Sequence, residues 1–368
     1  MRKEILYLAI LLLAACKPAT NTVAETEGVF LNFTKPAENP ILSADSSYTF
    51  FCPVQQRTVQ WQKADVFNPA AIVKDQLIHM LFRAEDNPDA ILGRRTSRIG
   101  LATSTDGIHF EIYPEPVLYP DNGDFQLYDY PGGCEDPRVV VTEEGLYVMA
   151  YTAWNQDVAR LSIAFSEDLI HWEKKGPAFA LAYEGKFLDL WSKSGSIITR
   201  LKGEQQVVEK IDDKYWMYWG EEFINLAWSD NLYDWYPTLD DSGELEAIIR
   251  TRPGYFDSRL TECGPPAILL DEGIVLLYNG KNHDDVEHAT PDLPTGTYSV
   301  GKLVLDPQEP SRVLYRSDTP LLKPTLPHEV TGQYKSGTTF AEGLVLYHSK
   351  WFLYYGTADS YVGLAIED

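Results

Sequence analysis

The sequence contains a twelve-residue pattern that recurs at nearly constant spacing. Clear copies occupy residues 99–110, 161–172 and 224–235, and each is an apolar stretch followed by Ser-x-Asp or Ser-x-Asn and a closing aromatic residue. Weaker copies begin at Tyr298 and Val362, so successive copies start 62, 63, 74 and 64 residues apart. Self-similarity at such a period indicates repeated supersecondary units. The chain is therefore predicted to contain five units.

An apolar, aromatic segment precedes each copy, and a shorter segment with a polar start precedes that one in turn. Alternating side chains and many β-branched or aromatic residues predict β-strands, with turns at Gly, Asp and Asn. Three or four strands in each of five units predict an all-β, five-bladed β-propeller over residues 41–368. A pair of β-sandwiches is the alternative, but it does not explain the even spacing. The longer predicted strands span residues 77–84, 146–154, 215–220, 274–280 and 351–356.

The first forty residues predict export and anchoring. Two basic residues precede an apolar run that is too short to span a bilayer as a permanent helix. The run ends in Leu-Ala-Ala-Cys at residues 13–16, which looks like the lipobox of a bacterial lipoprotein. We therefore predict a signal peptide over residues 1–15, lipidation at Cys16 and a flexible polar tether over residues 16–40. This predicts a lipid-anchored location in a bacterial cell envelope, with no other membrane contact; an ordinary secretory signal is the alternative.

Acidic residues outnumber basic residues by 54 to 31, which gives a formal net charge of -23. Such a charge argues against a nucleic-acid partner bound through its phosphates. Hydrophobic residues make up 44% of the chain and aromatic residues 12%, enough for a large core. Many aromatic residues together with many acids suggest sugar handling, because aromatic faces stack on sugar rings and carboxylates bind hydroxyl groups. Beyond Cys16, Cys52, Cys134 and Cys263 are odd in number and lack CxxC spacing, which argues against a disulfide scaffold or a cysteine zinc site.

Several acidic residues fall where the strands of a propeller would converge. The first strand of each blade lines the central channel, so its polar start faces the axis. Asp136 lies in a Glu-Asp-Pro-Arg segment, and Glu262 takes the matching position two units later, while Glu221 and Glu222 end a middle strand. Two carboxylates flanking a pocket suit acetal hydrolysis, in which one protonates the departing oxygen and the other activates water or attacks carbon. The alternatives are a structural pair between Asp136 and Arg138 and a solvated rim for the glutamates.

Motifs of other common chemistries are absent from the sequence. It has no GxSxG elbow, HExxH, P-loop or dinucleotide-binding GxGxxG. Residues 283–288, His-Asp-Asp-Val-Glu-His, are rich in metal ligands but fall in a predicted loop, so we predict neither a metal nor a cofactor. His109 and His171 occupy equivalent repeat positions and are interpreted as turn residues rather than catalysts.

Residues 60–368 resemble glycoside hydrolase family 130, whose members are five-bladed propellers that act on β-mannosides. The resemblance is carried by residues 133–138 (Gly-Cys-Glu-Asp-Pro-Arg), by the Ser-x-Asp-Leu-Ile-His-Trp turn and by residues 354–359 (Tyr-Tyr-Gly-Thr-Ala-Asp). The family contains phosphorylases, which cleave with inorganic phosphate, and hydrolases, which use water. In both groups the Asp of the Glu-Asp-Pro-Arg segment is taken as the general acid, so the resemblance assigns that role to Asp136.

The hydrolase branch of this family carries one glutamate ahead of a Gly-Pro-Pro segment and another after an aromatic middle strand. By this resemblance Glu262 and Glu221 are the candidate bases, and the sequence leaves open whether Glu221 or Glu222 faces the site, because adjacent strand residues point to opposite faces. The resemblance further implies sugar binding by Asn68, Arg83, Asp86, Lys193, Asp257 and Asp359, with Tyr298, Tyr255, Trp219 and Trp154 as candidates for stacking.

The sequence thus predicts an inverting, exo-acting β-mannosidase that hydrolyses β-1,2-linked mannosides and releases mannose. Its expected partner is a mannose-containing oligosaccharide. Two alternatives remain open: a β-mannoside phosphorylase that uses inorganic phosphate, and a non-catalytic glycan-binding lipoprotein.

Overall fold

The structure is a computed structural model that describes residues 30, 32–91 and 93–367. Within these residues the chain is almost entirely β-structure, with one four-residue α-helix, α1 (Gln126–Asp129), and two 3₁₀ turns (Ala182–Gly185 and Pro327–Glu329). The predicted all-β class is confirmed. The predicted signal peptide and Cys16 lie outside the described residues.

The chain before the first unit forms three short strands, β1 (Leu42–Ser43), β2 (Phe50–Cys52) and β3 (Arg57–Val59). The predicted flexible tether is wrong for residues 32–40, which lie against the end of the chain. The Thr34 amide donates to the Ile366 carbonyl at 2.8 Å, and the Asn39 side chain bonds both backbone groups of Leu364. The polar composition of this segment suggested mobility, but its polar groups form hydrogen bonds with the backbone at the otherwise unpaired edge of the last strand.

Five groups of strands follow, and their long members form antiparallel meanders. In unit 3 the meander consists of Ser196–Ile197, Lys214–Trp219, Ile224–Ser229 and Trp235–Pro237, and in unit 5 the N-terminal β1 pairs with the last strand. The strands of units 1 and 2 are β4 (Asp65–Lys74), β5 (Leu77–Glu85), β6 (Ser97–Ser104), β7 (Glu111–Ile112), β8 (Gly133–Val141), β9 (Tyr147–Trp154), β10 (Ala159–Ser166) and β11 (Glu173–Pro177). Those of unit 3 are β12 (Ser196–Ile197), β13 (Thr199–Lys202), β14 (Gln205–Val208), β15 (Lys210–Ile211), β16 (Lys214–Trp219), β17 (Ile224–Ser229), β18 (Trp235–Pro237) and β19 (Ala247–Ile249). Those of units 4 and 5 are β20 (Leu260–Cys263), β21 (Ile268–Leu270), β22 (Gly273–Lys281), β23 (Tyr298–Leu305), β24 (Val313–Arg316), β25 (Phe340–Tyr347), β26 (Lys350–Thr357) and β27 (Tyr361–Glu367).

The sequence repeat corresponds to one structural position. Its five copies form the third strands of the meanders, β6, β10, β17, β23 and β27, and the five longer predicted strands correspond to β5, β9, β16, β22 and β26. The Ser-x-Asp element closes the following turn: the Asp106 carboxylate accepts the backbone N–H groups of Ile108 (2.9 Å) and His109 (2.8 Å). Asp168 accepts those of Ile170 and His171 in the same way.

Hydrophobic side chains of each unit pack against both neighbouring units. On β9, Met149 and Tyr151 enter a cluster shared with unit 1, whereas Val148 and Ala150 enter a cluster shared with unit 3. Because side chains alternate between the two faces of a strand, a strand covered on both faces is apolar along its whole length. Further clusters join units 3 and 4, units 4 and 5, and units 5 and 1.

Three first strands contain a bulge near the centre of the molecule. The pairing register shifts by one residue at Asn68 in β4, at Asp136 in β8 and at Glu342 in β25. A bulge re-aims the side chains around it, and bulges are common next to active sites. These register shifts determine which polar side chains face the centre of the molecule.

Candidate active site

A cavity of about 300 Å³ lies where all five units meet. Eight of the ten predicted catalytic and substrate-binding residues line it, so most residues selected from the sequence lie close together in the structure. The eight are Asn68, Arg83, Asp136, Lys193, Glu221, Glu262, Tyr298 and Asp359. The remaining lining residues are Phe67, Gly93, Glu135, Trp154, Ala159, Trp191, Tyr334, Thr338 and Phe340.

The other two predicted sugar-binding residues do not line the cavity. Asp86 pairs with the buried Arg98 at 2.8 Å and borders a different groove. Asp257 is fully buried, and its carboxylate binds Arg252 (3.0 Å), Arg316 (2.5 Å) and the Tyr278 hydroxyl (2.7 Å). Both predictions of a sugar contact are corrected, because these carboxylates serve structural ion pairs.

The Asp136 carboxylate is buried and held by cationic and amide donors. Its Oδ1 accepts hydrogen bonds from Asn68 Nδ2 (2.9 Å) and Arg83 Nη1 (3.1 Å), and Lys193 Nζ lies 3.9 Å from Oδ2. Burial opposes ionisation, but the charges of Arg83, Lys193 and Arg138 and the Asn68 bond lower the pKa of Asp136 to about 2.

Glu135 also lines the cavity, but the sequence analysis did not identify it as a site residue. Arg83 Nη2 donates to its Oε1 at 2.8 Å and the Ser97 hydroxyl donates at 3.1 Å, so Arg83 bridges Glu135 and Asp136. Burial, opposed by Arg83 and reinforced by the Asp136 charge, raises the pKa of Glu135 to about 7. Two interacting carboxyl groups titrate as a pair, so this pair retains one proton until the pH approaches neutrality.

The structure distinguishes the two consecutive glutamates after β16. Glu221 lines the cavity, and its Oε2 accepts a hydrogen bond from Trp191 Nε1 at 2.8 Å. Glu222 points away, and its exposed carboxylate pairs with Arg259 at 3.0 Å. Of these two, only Glu221 is placed to meet a ligand in the cavity.

Glu262 lies in the same cavity and is almost fully buried. The Ser194 hydroxyl donates a short hydrogen bond to its Oε1. Burial and the nearby charge of Glu221, opposed by Lys193 and Arg138, raise the pKa of Glu262 to about 7. The cavity therefore contains a second pair of interacting carboxyl groups.

Lys193 is the cation that both carboxyl pairs share. Burial alone would lower its pKa, but the charges of Glu221, Asp136, Glu262 and Glu135 raise it, so Lys193 stays charged. Asp359 also lines the cavity, and burial, opposed by Arg83 and reinforced by Asp136, raises its pKa to about 6.

Aromatic rings form much of the cavity wall. Trp154 and Tyr298 are among the four rings considered for stacking, and both line the cavity. Trp219 is instead buried against Phe179, and Tyr255 lies under Arg252 outside the cavity. The sequence prediction missed Trp191, Tyr334, Phe67 and Phe340 as wall residues.

Several residues at the site have a left-handed backbone. Asn68 (φ 49°), Asp136 (φ 49°), Ser194 (φ 58°) and Asp359 (φ 51°) all have positive φ without being glycine. Such conformations cost about 1–3 kcal/mol each and cluster at functional sites. Packing of the units around the cavity must offset this cost in free energy. Because strained residues cluster at functional sites, their presence here favours a ligand-binding role for this region.

The remaining polar clusters stay outside the cavity. His109 and His171 are exposed on their turns, where each contacts the aspartate three residues earlier. In residues 30, 32–91 and 93–367 no group of three or more His, Cys, Asp or Glu side chains could hold a metal ion. Cys52, Cys134 and Cys263 are buried and unpaired with one another. No helix in the described part of the chain is long and apolar enough to cross a membrane.

A family model described as glycoside hydrolase family 130, β-1,4-mannooligosaccharide phosphorylase, matches residues 34–368. The chain belongs to glycoside hydrolase family 130. This family 130 member is an enzyme that acts on mannosides, and the predicted family resemblance is confirmed.

Relatives of this family 130 enzyme include both reaction types. It is 33% identical to a 1,2-β-oligomannan phosphorylase of Thermoanaerobacter sp. (strain X514), over 83% of this chain and 91% of the relative. It is 49% identical, with a TM-score of 0.91 and coverage of 93% and 95%, to a structure from work on GH130 glycoside hydrolases that target β-1,2 mannosidic linkages in Candida mannan. A glycosyl hydrolase of Bacteroides ovatus is 47% identical, with a TM-score of 0.89 and coverage of 92% and 94%.

Proposed function

We propose that this family 130 enzyme is an inverting, exo-acting β-mannosidase that hydrolyses β-1,2-linked mannosides and releases mannose. The observation that carries the proposal is the charge of the cavity, which has five carboxyl groups and two cationic side chains. Both cations already face carboxylates. A phosphate dianion would meet net repulsion there, whereas a water molecule needs a carboxylate to take its proton.

The general acid in this proposal is Asp136, which draws on the proton of the Glu135–Asp136 pair. Arg83 contacts both carboxyl groups, so a shift of its charge toward Glu135 on sugar binding would raise the pKa of Asp136 and favour the proton there. Environments that push the pKa values of two neighbouring acids apart are typical of acid–base machinery. As the glycosidic bond breaks, the departing oxygen takes this proton.

The base in this proposal comes from the Glu221–Glu262 pair. One carboxylate takes a proton from water while the water oxygen bonds to the anomeric carbon. Direct attack by water inverts the configuration there, and it requires acid and base about 6.5–9.5 Å apart. The β-linked sugar is then released as α-mannose.

The fold supports exo-action on a terminal sugar. Hydrophobic clusters join each unit to the next and the fifth to the first, and we propose that the units form the five blades of a propeller around the cavity. The ion pair between Arg138 and Glu342 is fully buried where β8 and β25 meet. A cavity encircled by five units and blocked at its axis suits a chain end rather than a continuous chain.

Incubation of the purified protein with β-1,2-mannobiose, with and without inorganic phosphate, tests the proposal. We expect free mannose as the only product in phosphate-free buffer, at a rate that phosphate does not raise. The similarity to a 1,2-β-oligomannan phosphorylase favours phosphorolysis as the second candidate. Mannose 1-phosphate that forms only when phosphate is present would establish that candidate and exclude ours.

We also propose that Cys16 anchors the enzyme to a bacterial envelope by a lipid. The support is the Leu-Ala-Ala-Cys sequence at residues 13–16 after an apolar run. On expression in a bacterium, the full chain should partition into the detergent phase of a Triton X-114 extract, and Cys16→Ser should move it to the aqueous phase. Equal partitioning of the two proteins would contradict the anchor.

A further inference from the structure

We propose that Trp191 is a positioning residue that holds Glu221 as the base that activates water. This inference rests on the proposed hydrolysis and deepens it, because it chooses between two candidate bases. It assigns a role to an aromatic side chain through its indole N–H rather than through its ring face.

The contact is specific and lies inside the cavity. Trp191 Nε1 donates to Glu221 Oε2 at 2.8 Å, and both residues line the cavity. Within the part of the chain that the structure describes, no other side chain donates a hydrogen bond to this carboxylate. A hydrogen bond from N–H to a carboxylate favours the ionised form, which is the form that a base requires.

The backbone on both sides of Glu221 is fixed, so only the Glu221 side chain is free to change its orientation. Gly220 has φ 128° and its N–H donates to the Lys193 carbonyl at 3.0 Å. A Cβ on Gly220 would lie 2.2 Å from the Phe223 carbonyl oxygen, so this tight turn requires glycine. On the other side, the Thr261 hydroxyl donates to the Glu222 carbonyl at 3.0 Å.

Trp191 is itself anchored on one side and open on the other. The next residue, Ser192, donates its N–H to the Ala159 carbonyl at 3.0 Å and accepts the N–H of Leu161 at 3.0 Å. The Trp191 ring meets Trp154 edge to face at 5.7 Å and is 50% exposed. A sugar bound in the cavity can therefore cover the indole and restrict it, which would fix Glu221 only when substrate is present.

Glu262 is less suited to the role of base. It is 4% exposed, and the hydrogen bond that its carboxyl group accepts comes from the Ser194 hydroxyl rather than from an N–H group. Burial and the Glu221 charge raise the pKa of Glu262, which disfavours its ionised form. Glu262 then serves to orient the water while Glu221 takes its proton.

The first test is Trp191→Phe, which keeps an aromatic wall and removes the N–H. We expect kcat on β-1,2-mannobiose to fall about 10- to 100-fold with a smaller change in KM, since a hydrogen bond to a charged group is lost. The acid limb of the pH–rate profile should move to higher pH. Trp216→Phe is the matched control, because that indole lies on β16 and donates to the Ile211 carbonyl at 3.0 Å, and it should leave the profile in place.

The second test separates action through Glu221 from direct action on the sugar. In Glu221→Ala, azide can replace the water: its nitrogen bonds to the anomeric carbon, the glycosidic C–O bond breaks, and the departing oxygen takes the proton from Asp136. We expect azide to restore turnover with α-mannosyl azide as product, and to restore none in Glu262→Ala. Adding Trp191→Phe to Glu221→Ala should change the azide-supported rate less than twofold.

These outcomes can overturn the inference without touching the proposed function. If the wild type hydrolyses mannobiose without phosphate and Trp191→Phe changes only KM, then Trp191 contacts the sugar but does not position Glu221. Azide rescue of Glu262→Ala, or of neither variant, removes Glu221 as the base. Failure of the wild type to release mannose without phosphate would instead refute the hydrolase proposal itself.

Discussion

Replacing Asp136 by asparagine is expected to lower kcat on β-1,2-mannobiose by about 10²- to 10⁴-fold, the usual contribution of a general acid. Asparagine keeps the shape of the side chain, and Asn68 and Arg83 remain to hold the segment, so the fold should persist. Substrate affinity, measured by calorimetry on the inactive variant, should change little. Kinetics on mannobiose give the main readout.

Two comparisons make the Asp136→Asn result specific. A 2,4-dinitrophenyl β-mannoside has a leaving group that needs no proton, so the variant should lose far less activity on it. Asp230→Asn removes an exposed carboxylate that pairs with Lys214 and should behave as wild type. Equal losses on both substrates, or turnover of mannobiose within a few-fold of wild type, would remove Asp136 from the acid role.

Replacing Arg138 by methionine is expected to lower the free energy of unfolding by about 3–5 kcal/mol, the usual cost of leaving one partner of a buried ion pair alone. Arg138 Nη1 lies 3.1 Å from Glu342 Oε1, and both side chains are fully buried. The same guanidinium donates to the carbonyls of Asp136 (3.0 Å), Cys263 (2.9 Å) and Gly264 (3.2 Å). Methionine fills a similar volume but satisfies none of these acceptors. Denaturant unfolding provides the measurement.

The Arg138→Met loss should depend on pH in a defined direction. Burial already raises the pKa of Glu342 although Arg138 opposes it, and removal of Arg138 raises it further. A carboxyl group with a raised folded pKa costs stability above its unfolded value near 4.5, and that cost disappears as the pH falls. Relative to wild type, the variant should therefore recover stability as the pH falls toward the folded pKa that Glu342 has in wild type.

A second substitution and a surface control check the Arg138 account. Glu342→Gln in the Arg138→Met background should restore part of the lost stability, because it removes the isolated acid. Arg312→Met breaks an exposed pair with Asp306 and should cost less than about 1 kcal/mol. If Arg138→Met costs no more than this control, then Arg138 does not hold β8, β20 and β25 together.

The repeated strands were readable from the sequence because their pattern is local. Three of the third strands end in their own Ser-x-Asp or Ser-x-Asn turn, and hydrogen bonds within three residues close it, as at Asp106. Positions such as Asp136 and Glu262 followed from equivalent places in units 2 and 4. Both residues line one cavity, as expected if the first strands of the units converge.

The errors have a common physical origin in contacts between distant residues. Asp257 was expected to bind sugar, but Arg316, 59 residues later, neutralises it. Glu135 was not singled out because adjacent strand residues normally face opposite sides, whereas the bulge at Asp136 lets both carboxyl groups line the cavity. Trp191 precedes its strand in a loop, and no periodic pattern predicts where a loop side chain points.

The most direct test of the central claim is ¹H NMR of the sugar first released from β-1,2-mannobiose in phosphate-free buffer. The arrangement of Asp136 with Glu221 and Glu262 predicts α-mannose as the first-formed anomer, followed by slow mutarotation to the equilibrium mixture. β-Mannose as the first product would contradict inversion. No release of mannose until phosphate is added, with mannose 1-phosphate as the product, would contradict hydrolysis.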